Sequence, residues 1–123
     1  GQTTLLGNMR DIYEKSEKAI YTPGAAFLNV MAPCPRGWRY PTKQIMDICK
    51  LAVETCYWPL FEVIEGKWIL SYSPKKKLPI EDFLRTQGRF KHLFKPENEH
   101  LLVQYQEEVD RRWEDLLFRC SKN

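Results

Sequence analysis

Residues 25–38 read A-A-F-L-N-V-M-A-P-C-P-R-G-W, an apolar run followed at once by a cysteine between two prolines. The near-continuous apolar character from about Ala25 to Met31 predicts a strand buried on both faces, as in a parallel sheet. Proline fixes its own φ, lacks a donor and pushes the preceding residue toward extended geometry, so the residues after the strand must form a loop. Cys34 is therefore expected on a stiff tip just beyond a strand, where open α/β sheets place their ligands.

Helical patterns lie on both sides of this strand. Before it, Asn8 can cap a helix whose apolar positions follow i, i+3, i+4 spacing, and residues 22–24, Thr-Pro-Gly, break that helix. After it, Thr42 begins a second helix through about Cys56, with an apolar surface wider than a single stripe. The first helix carries Met9, Ile12, Tyr13, the small Ser16, Ala19 and Ile20 at these positions.

The later part of the sequence predicts a hairpin and two further helices. Residues 60–64 and 67–72 flank Glu65-Gly66, a short hairpin turn. Pro79 suits the first turn of a short helix closed by Gly88. A second proline, at position 96, starts a long last helix with seven residues on its apolar face: Leu102, Tyr105, Val109, Trp113, Leu116, Leu117 and Cys120.

The 123 residues suffice for one domain with a single core. We predict the C-terminal portion of a single α/β domain with one buried strand, a β-hairpin and about four helices. Residues 1–41 would supply a helix, the strand and the Cys34 loop, 42–72 a helix and the hairpin, and 73–123 the C-terminal helices. Because a parallel strand needs a neighbour and covering helices, the rest of the sheet is expected N-terminal to Gly1. A self-contained α+β domain is the alternative.

Composition and charge indicate a globular domain and argue against nucleic-acid and membrane partners. Hydrophobic residues make up 43% and charged residues 28%, values typical of a globular domain. Nineteen basic and sixteen acidic residues leave a net charge of +3, which is too small and too scattered to predict a nucleic-acid partner. No apolar stretch approaches the ~20 residues of a membrane helix, so no membrane partner is expected.

The four cysteines include no C-x-x-C pair, so the sequence holds no zinc motif and no complete iron–sulfur motif. Cys49 and Cys56 lie seven residues apart on one predicted helix, ~10 Å along its axis, which is too far for a disulfide. A reducing cytoplasm is therefore the expected location. Cys49, Cys56 and Cys120 are expected to pack in the core, whereas Cys34 is either a small buried hydrophobe or a ligand.

Residues 27–38, F-L-N-V-M-A-P-C-P-R-G-W, resemble the C-terminal region of the β subunit of pyruvate:ferredoxin oxidoreductase and related 2-oxoacid:ferredoxin oxidoreductases. The similarity continues through L-A-V-E-T at 51–55, W-P-L-F-E at 58–62 and Q-G-R-F at 87–90. The most specific motifs are A-P-C-P-x-G-W and L-A-V-E-T-x-x-W-P-L. The resemblance covers nearly the whole chain from about Asn8.

This resemblance implies the C-terminal part of a thiamine-diphosphate-binding, doubly wound α/β domain. The family decarboxylates a 2-oxoacid, here expected to be pyruvate, to acyl-CoA and passes the electrons through 4Fe–4S clusters to ferredoxin. Three cysteines nearer the N-terminus of the family's β subunit bind one cluster, and Cys34 matches the position of the fourth ligand. The implied partners are the N-terminal part of the same subunit, the α and other subunits, ferredoxin and coenzyme A.

The chain also departs from the family's pattern. It contains no Gly-Asp-Gly motif for thiamine diphosphate and Mg²⁺ and no paired N-terminal cysteines. The 123 residues alone are therefore expected to retain neither these cofactors nor a 4Fe–4S cluster, and to be inactive. The alternative is a non-catalytic, stand-alone α/β interaction module related to the family.

Residues around Cys34 allow two interpretations each. Arg36 and Arg39 either offset cluster charge and help dock an acidic ferredoxin, or belong to a solvated loop. Trp38 and Tyr40 either shield a cluster from water or are ordinary core aromatics. Two further aromatics are candidate anchors for a subunit interface: Trp68 and Trp113.

Overall fold

The computed structural model describes residues 1–122, which form a mixed four-stranded sheet packed against helices. The elements in chain order are β1 (Gln2–Thr4), α1 (Met9–Tyr21), β2 (Asn29–Met31), α2 (Pro35–Trp38), α3 (Ile45–Glu54), β3 (Phe61–Ile64), β4 (Lys67–Leu70), α4 (Ile80–Leu84) and α5 (Glu99–Ser121). Short 3₁₀ turns occupy Thr42–Gln44, Gly88–Phe94 and Pro96–Asn98. The alternation of strands and helices confirms the predicted α/β class.

The strand order in the sheet is β2-β1-β3-β4. Strands β1 and β2 pair in parallel, with Thr3 opposite Val30, and α1 provides the crossover between them. Strand β3 pairs antiparallel with both β1 and β4. The parallel pair therefore holds β2, and the cysteine loop after it, at one side of the sheet.

The parallel neighbour of β2 lies inside the chain, whereas the sequence pattern predicts it upstream of Gly1. It is β1, a strand of three residues. The expected strand from Ala25 to Met31, buried on both faces, is also wrong. Strand β2 is shorter, Phe27 before it is 77% exposed, and only Met31 within it is buried. Because β2 lies at an edge of this sheet, no further strand covers its outer side within residues 1–122.

Helix α1 turns a charged residue toward the sheet. The Lys15 side chain is 3% exposed, and its ammonium group donates to the Gln2 carbonyl at 2.9 Å and to the Asp11 carboxylate at 2.8 and 2.9 Å. Burial lowers the pKa of Lys15, and the Asp11 carboxylate opposes that shift. The apolar stripe that marks this helix in the sequence is not its buried face, since Tyr13 and Ile20 are exposed.

The hydrophobic core lies where α3, α4 and α5 meet the sheet. Phe83, Ile48, Ile80 and Leu84 are each 0% exposed. The i, i+4, i+7 spacing of α5 buries Val109, Trp113 and Leu116 on one face, as predicted. Trp113 therefore belongs to the core of this chain, and its expected role as an interface anchor is wrong. Trp68 is half-buried and stacks on Phe61 with 5.5 Å between the ring centroids.

Local signals in the sequence place the hairpin and the last helix correctly. Glu65 and Gly66 have φ values of +50° and +80°, the left-handed pair that a two-residue hairpin turn requires. Helix α5 follows a 3₁₀ turn that begins at Pro96. The expected closure of α4 at Gly88 is wrong, because α4 ends at Leu84 and Gly88 begins a separate 3₁₀ turn.

None of the four cysteines, all of which lie in the described part of the chain, forms a disulfide. Cys49 and Cys56 are buried and Cys120 is half-buried, in agreement with packing roles. Cys56 lies just beyond the end of α3, with a φ of +62°, instead of on the helix. Among the helices described, none combines the length and the apolar character needed to cross a membrane.

The buried Cys56 thiol predicts an alkaline loss of stability. Burial raises its pKa from 9.0 to about 11. As the pH rises through this window, the unfolded chain releases the thiol proton before the folded chain does, so stability that is present below pH 9 is lost toward pH 11. We expect Cys56→Ala to reduce the loss between pH 8 and pH 11 by about 2 kcal/mol. Urea unfolding of both proteins at the two pH values measures this, and equal losses would contradict it.

Candidate functional site

Cys34 lies on a turn directly after β2. Pro33 is buried, whereas Cys34 is exposed and has extended backbone geometry, with φ −96° and ψ 110°. It is the N-cap of α2, and Pro35 occupies the first helical position, where its missing N–H costs nothing. The structure therefore places this cysteine on the strand-end tip that the two prolines predict.

The sulfur of Cys34 has a donor on one side and open space on another. The backbone N–H of Gly37 donates to Sγ at 3.4 Å. A Cβ atom at position 37 would lie 3.6 Å from Sγ, so glycine keeps a side chain away from the sulfur. The Cys34 sulfur is thus accessible and accepts one backbone N–H bond. Hydrogen bonds of this kind tune the reduction potential of a cluster when the sulfur ligates one.

The turn itself is held by hydrogen bonds and by Tyr40. The N–H of Trp38 donates to the Cys34 carbonyl at 2.8 Å. Arg39 ends the turn in the left-handed region, with φ +60°. The Tyr40 hydroxyl donates to the Pro33 carbonyl at 3.3 Å, and burial raises the pKa of this side chain. Tyr40 is thus a core aromatic that fixes the start of the cysteine turn.

Trp38 lies between the turn and the core. Its ring is half-buried and meets Phe83 edge-on, with 6.2 Å between the centroids. It also contacts Tyr40 edge-on at 6.5 Å. The indole therefore packs the turn onto the centre of the core.

Positive side chains surround the turn without carboxylate partners. Arg36 and Arg39 are exposed, and neither forms an ion pair with any residue from 1 to 122. Their exposure fits both interpretations that the sequence allows, a docking surface and a solvated loop.

A distant segment supports the turn, and sequence reasoning missed this contact. The N–H of Gly88 donates to the Arg39 carbonyl at 2.9 Å, and the Arg89 guanidinium lies 3.9 Å from the centroid of the Trp38 ring. These residues belong to the Q-G-R-F motif of the resemblance, but no local pattern reveals what that motif touches. Only the folded chain brings it to the cysteine turn.

The described residues supply one sulfur donor here and no complete metal site. Across residues 1–122, no group of three or more His, Cys, Asp or Glu side chains is arranged to hold a metal ion. A 4Fe–4S cluster needs four ligands, and Cys34 could offer one of them. The described residues around the turn therefore supply a single sulfur donor.

No protein-family model matches the chain. It is 44% identical over 116 residues to pyruvate synthase subunit PorB of Thermotoga maritima, covering 94% of the chain and 36% of that relative. It is 46% identical over 103 residues to ketoisovalerate oxidoreductase subunit VorB of Pyrococcus horikoshii, covering 82% of the chain and 33% of the relative. Pyruvate synthase subunit PorB of Methanosarcina barkeri is 44% identical over 92 residues, 75% of the chain and 31% of that protein. The chain thus spans about a third of the length of the curated relatives it matches.

Proposed function

The chain belongs to the family of 2-oxoacid:ferredoxin oxidoreductase β subunits, whose C-terminal region it matches, and we propose that it completes such a subunit and supplies one ligand to its 4Fe–4S cluster. The complete enzyme oxidatively decarboxylates a 2-oxoacid to acyl-CoA and passes the electrons to ferredoxin. We propose pyruvate as the substrate, because the match to the pyruvate synthase subunit of Thermotoga maritima extends over 116 residues, against 103 for the ketoisovalerate oxidoreductase subunit of Pyrococcus horikoshii.

The observation that carries this proposal is the geometry of Cys34. Its thiol is exposed, has no disulfide partner and accepts a backbone N–H bond from Gly37. The turn that carries it is fixed by backbone hydrogen bonds and by buried Tyr40. A soft thiolate held on a rigid turn suits iron–sulfur ligation, and the remaining three ligands would come from the N-terminal part of the same subunit.

The cofactors of the complete subunit supply the chemistry that this chain lacks. Thiamine diphosphate with Mg²⁺ would stabilise the carbanion left by decarboxylation, and the 4Fe–4S cluster would take up single electrons. In this proposal the residues of the chain help to hold the 4Fe–4S cluster and to shield it from water. Cys34 would provide one sulfur ligand, and the half-buried ring of Trp38 would shield the cluster from water.

The N-terminal part of the same subunit is the first partner that we propose. The relatives are about three times as long as the segment they share with this chain. Apolar side chains that a folded subunit would bury lie exposed on α1 and just before β2, among them Tyr13 at 69%, Ile20 at 77% and Phe27 at 77%. We propose that the upstream part of the subunit covers this surface, with the cluster between it and the Cys34 turn.

The further partners are those of the complete enzyme: its α and other subunits, ferredoxin and coenzyme A. Arg36 and Arg39, exposed beside Cys34, would favour approach of an acidic ferredoxin. We place the enzyme in a reducing cytoplasm, where the four cysteines stay out of disulfides.

A chimera tests the proposed function. Residues 1–123 replace the matching segment of Thermotoga maritima PorB, which is then assembled with the other subunits of that enzyme. We expect CoA-dependent oxidation of pyruvate with reduction of ferredoxin, whereas the 123-residue chain alone should give none. Assays with ketoisovalerate in parallel identify the preferred 2-oxoacid.

Unmodified PorB assembled in the same way is the control for this chimera. A chimera that assembles but oxidises neither pyruvate nor ketoisovalerate would overturn the proposal. That result would favour the alternative, an interaction module without catalysis.

A further inference from the structure

We propose that Arg89 is a positioning residue for Cys34, acting through the ring of Trp38 and together with the backbone of Gly88. This inference rests on the proposed function of Cys34 as a cluster ligand. It assigns to the 3₁₀ segment Gly88–Phe94 a role in fixing the direction of one iron–sulfur bond.

The guanidinium of Arg89 lies over two aromatic rings. Its central carbon is 3.9 Å from the centroid of Trp38 and 4.5 Å from that of Phe90. A cation over the face of a tryptophan is attracted by the ring quadrupole, most strongly where water is excluded. The Arg89 guanidinium therefore restrains the Trp38 ring.

The contact between Arg89 and Trp38 affects Cys34 because both Trp38 and Cys34 belong to the same helical turn. Trp38 is the last residue of α2, and its N–H donates to the Cys34 carbonyl at 2.8 Å. Within the same turn, the N–H of Gly37 donates to Sγ of Cys34. A shift of the Trp38 ring would move the whole turn, and with it the direction in which the sulfur points.

The backbone of residue 88 fixes the other end of the turn. The Gly88 N–H donates to the Arg39 carbonyl at 2.9 Å. A Cβ atom at position 88 would lie 2.7 Å from Cβ of Arg39 and 3.2 Å from its carbonyl oxygen, so only glycine permits this approach. Gly88 and Arg89 thus clamp the cysteine turn at two consecutive residues, Trp38 and Arg39.

The charge of Arg89 is kept here at a cost to stability. Its Nη2 atom is buried and has no hydrogen-bond partner among residues 1–122. Its Nε donates to Oε1 of buried Gln87 at 2.7 Å. Burial lowers the pKa of the guanidinium, and the side chains of Tyr57 and Tyr105 oppose that shift. A leucine would pack against Trp38 without an unsatisfied donor. The guanidinium therefore contributes to this site through its contacts with the Trp38 ring and the Gln87 side chain.

Another arginine of this chain provides a matched control. Arg85 also stacks on an aromatic ring, with 4.4 Å to the centroid of Phe94, but it is 63% exposed and pairs with the Glu81 carboxylate. It makes no contact with the Cys34 turn among the ring and hydrogen-bond contacts of the described residues. Arg85→Gln therefore removes one cation–π pair without touching the clamp.

The test uses the complete subunit in its assembled complex, with Arg89→Gln, Arg89→Lys and Arg85→Gln compared with the wild type. We expect Arg89→Gln to release cluster iron to a chelator roughly tenfold faster, and to change the EPR spectrum of the reduced cluster. Removal of a nearby positive charge should also make its reduction potential more negative. Arg89→Lys keeps the positive charge, so its reduction potential should lie between those of the wild type and Arg89→Gln. Arg85→Gln should match the wild type.

A double-mutant cycle separates positioning from general stability. If Arg89 acts through Trp38, then Trp38→Leu should change the EPR spectrum in the same way, and the double variant should add little to either single change. If circular dichroism shows that Arg89→Gln is poorly folded, the EPR spectra of Arg89→Lys and Trp38→Leu are used instead. A wild-type EPR spectrum for Trp38→Leu would then overturn the positioning role.

The outcomes distinguish this inference from the proposed function. If Cys34→Ser leaves the cluster intact, the proposed function fails and the role of Arg89 fails with it. If Cys34→Ser removes the cluster while Arg89→Gln and Trp38→Leu keep wild-type iron release and EPR spectra, only the positioning role is overturned.

Discussion

Replacing Cys34 with serine in the complete subunit is expected to lower ferredoxin-linked oxidation of the 2-oxoacid by at least about tenfold. Serine offers a hard, largely protonated hydroxyl where iron–sulfur clusters use soft thiolates, so the cluster should lose iron and electron transfer should stop. The measurement is the rate of ferredoxin reduction by the assembled complex.

Cys120→Ser is the matched control for this prediction. Cys120 is a half-buried cysteine near the end of α5, on a different element from the Cys34 turn. It should leave the rate of ferredoxin reduction near the wild-type value. A Cys34→Ser complex with the wild-type rate would remove the assigned role of this residue.

Replacing Phe83 with alanine is expected to cost about 3–5 kcal/mol of the free energy of unfolding. Phe83 is 0% exposed, and its ring stacks on Tyr57 at 4.6 Å and meets Trp38 edge-on at 6.2 Å. The substitution removes apolar contact and leaves a cavity directly beneath the cysteine turn. Since a domain is stable by only about 5–15 kcal/mol, the loss would remove much of its stability.

Urea unfolding of the purified chain measures this change. Phe118→Ala is the control, because Phe118 is 58% exposed on α5 and should change stability by no more than about 0.5 kcal/mol. Equal losses for the two variants would show that Phe83 is not at the centre of the core.

The sequence predicted those elements whose signals are local. Glu65-Gly66 specifies its hairpin because both residues adopt positive φ, whichever way the sheet is built. The prolines around Cys34 likewise determine that an exposed turn follows β2. Each of these signals lies within a few residues of the structure it specifies.

The sequence did not predict β1. Its residues are polar, and they are buried only because of contacts with distant parts of the chain. Thr3 and Thr4 are 0% exposed, and their hydroxyls donate to Asp11 and to the Leu6 carbonyl. The indole N–H of Trp58 donates to the Thr3 carbonyl at 2.7 Å across the sheet. A strand of this length and polarity carries no period that reasoning from pattern could detect.

The apolar run before Cys34 led to the wrong prediction of a long buried strand, because its residues are apolar but largely outside the sheet. Residues 25–28 carry the composition of a buried strand, yet they stay outside the sheet, and Phe27 is largely exposed. Under the proposed function, the part of the subunit that covers this run lies upstream. The sequence pattern then describes the burial of the assembled subunit, whereas the structure describes that of residues 1–122.

The sequence identified the central residue of the site but not the contacts around it. Two prolines and a strand signal single out Cys34, and the resemblance gives this residue the role of a cluster ligand. The support from Gly88 and Arg89 joins segments some fifty residues apart, and only packing reveals such contacts. Their place in the Q-G-R-F motif was the one available hint.

The most direct test of the central claim is the iron content and the EPR spectrum of the complete subunit, with and without Cys34. We expect about four irons and a reduced-cluster signal for the wild type, and loss of both in Cys34→Ser. A Cys34→Ser subunit that keeps its full iron content and an unchanged spectrum would contradict it.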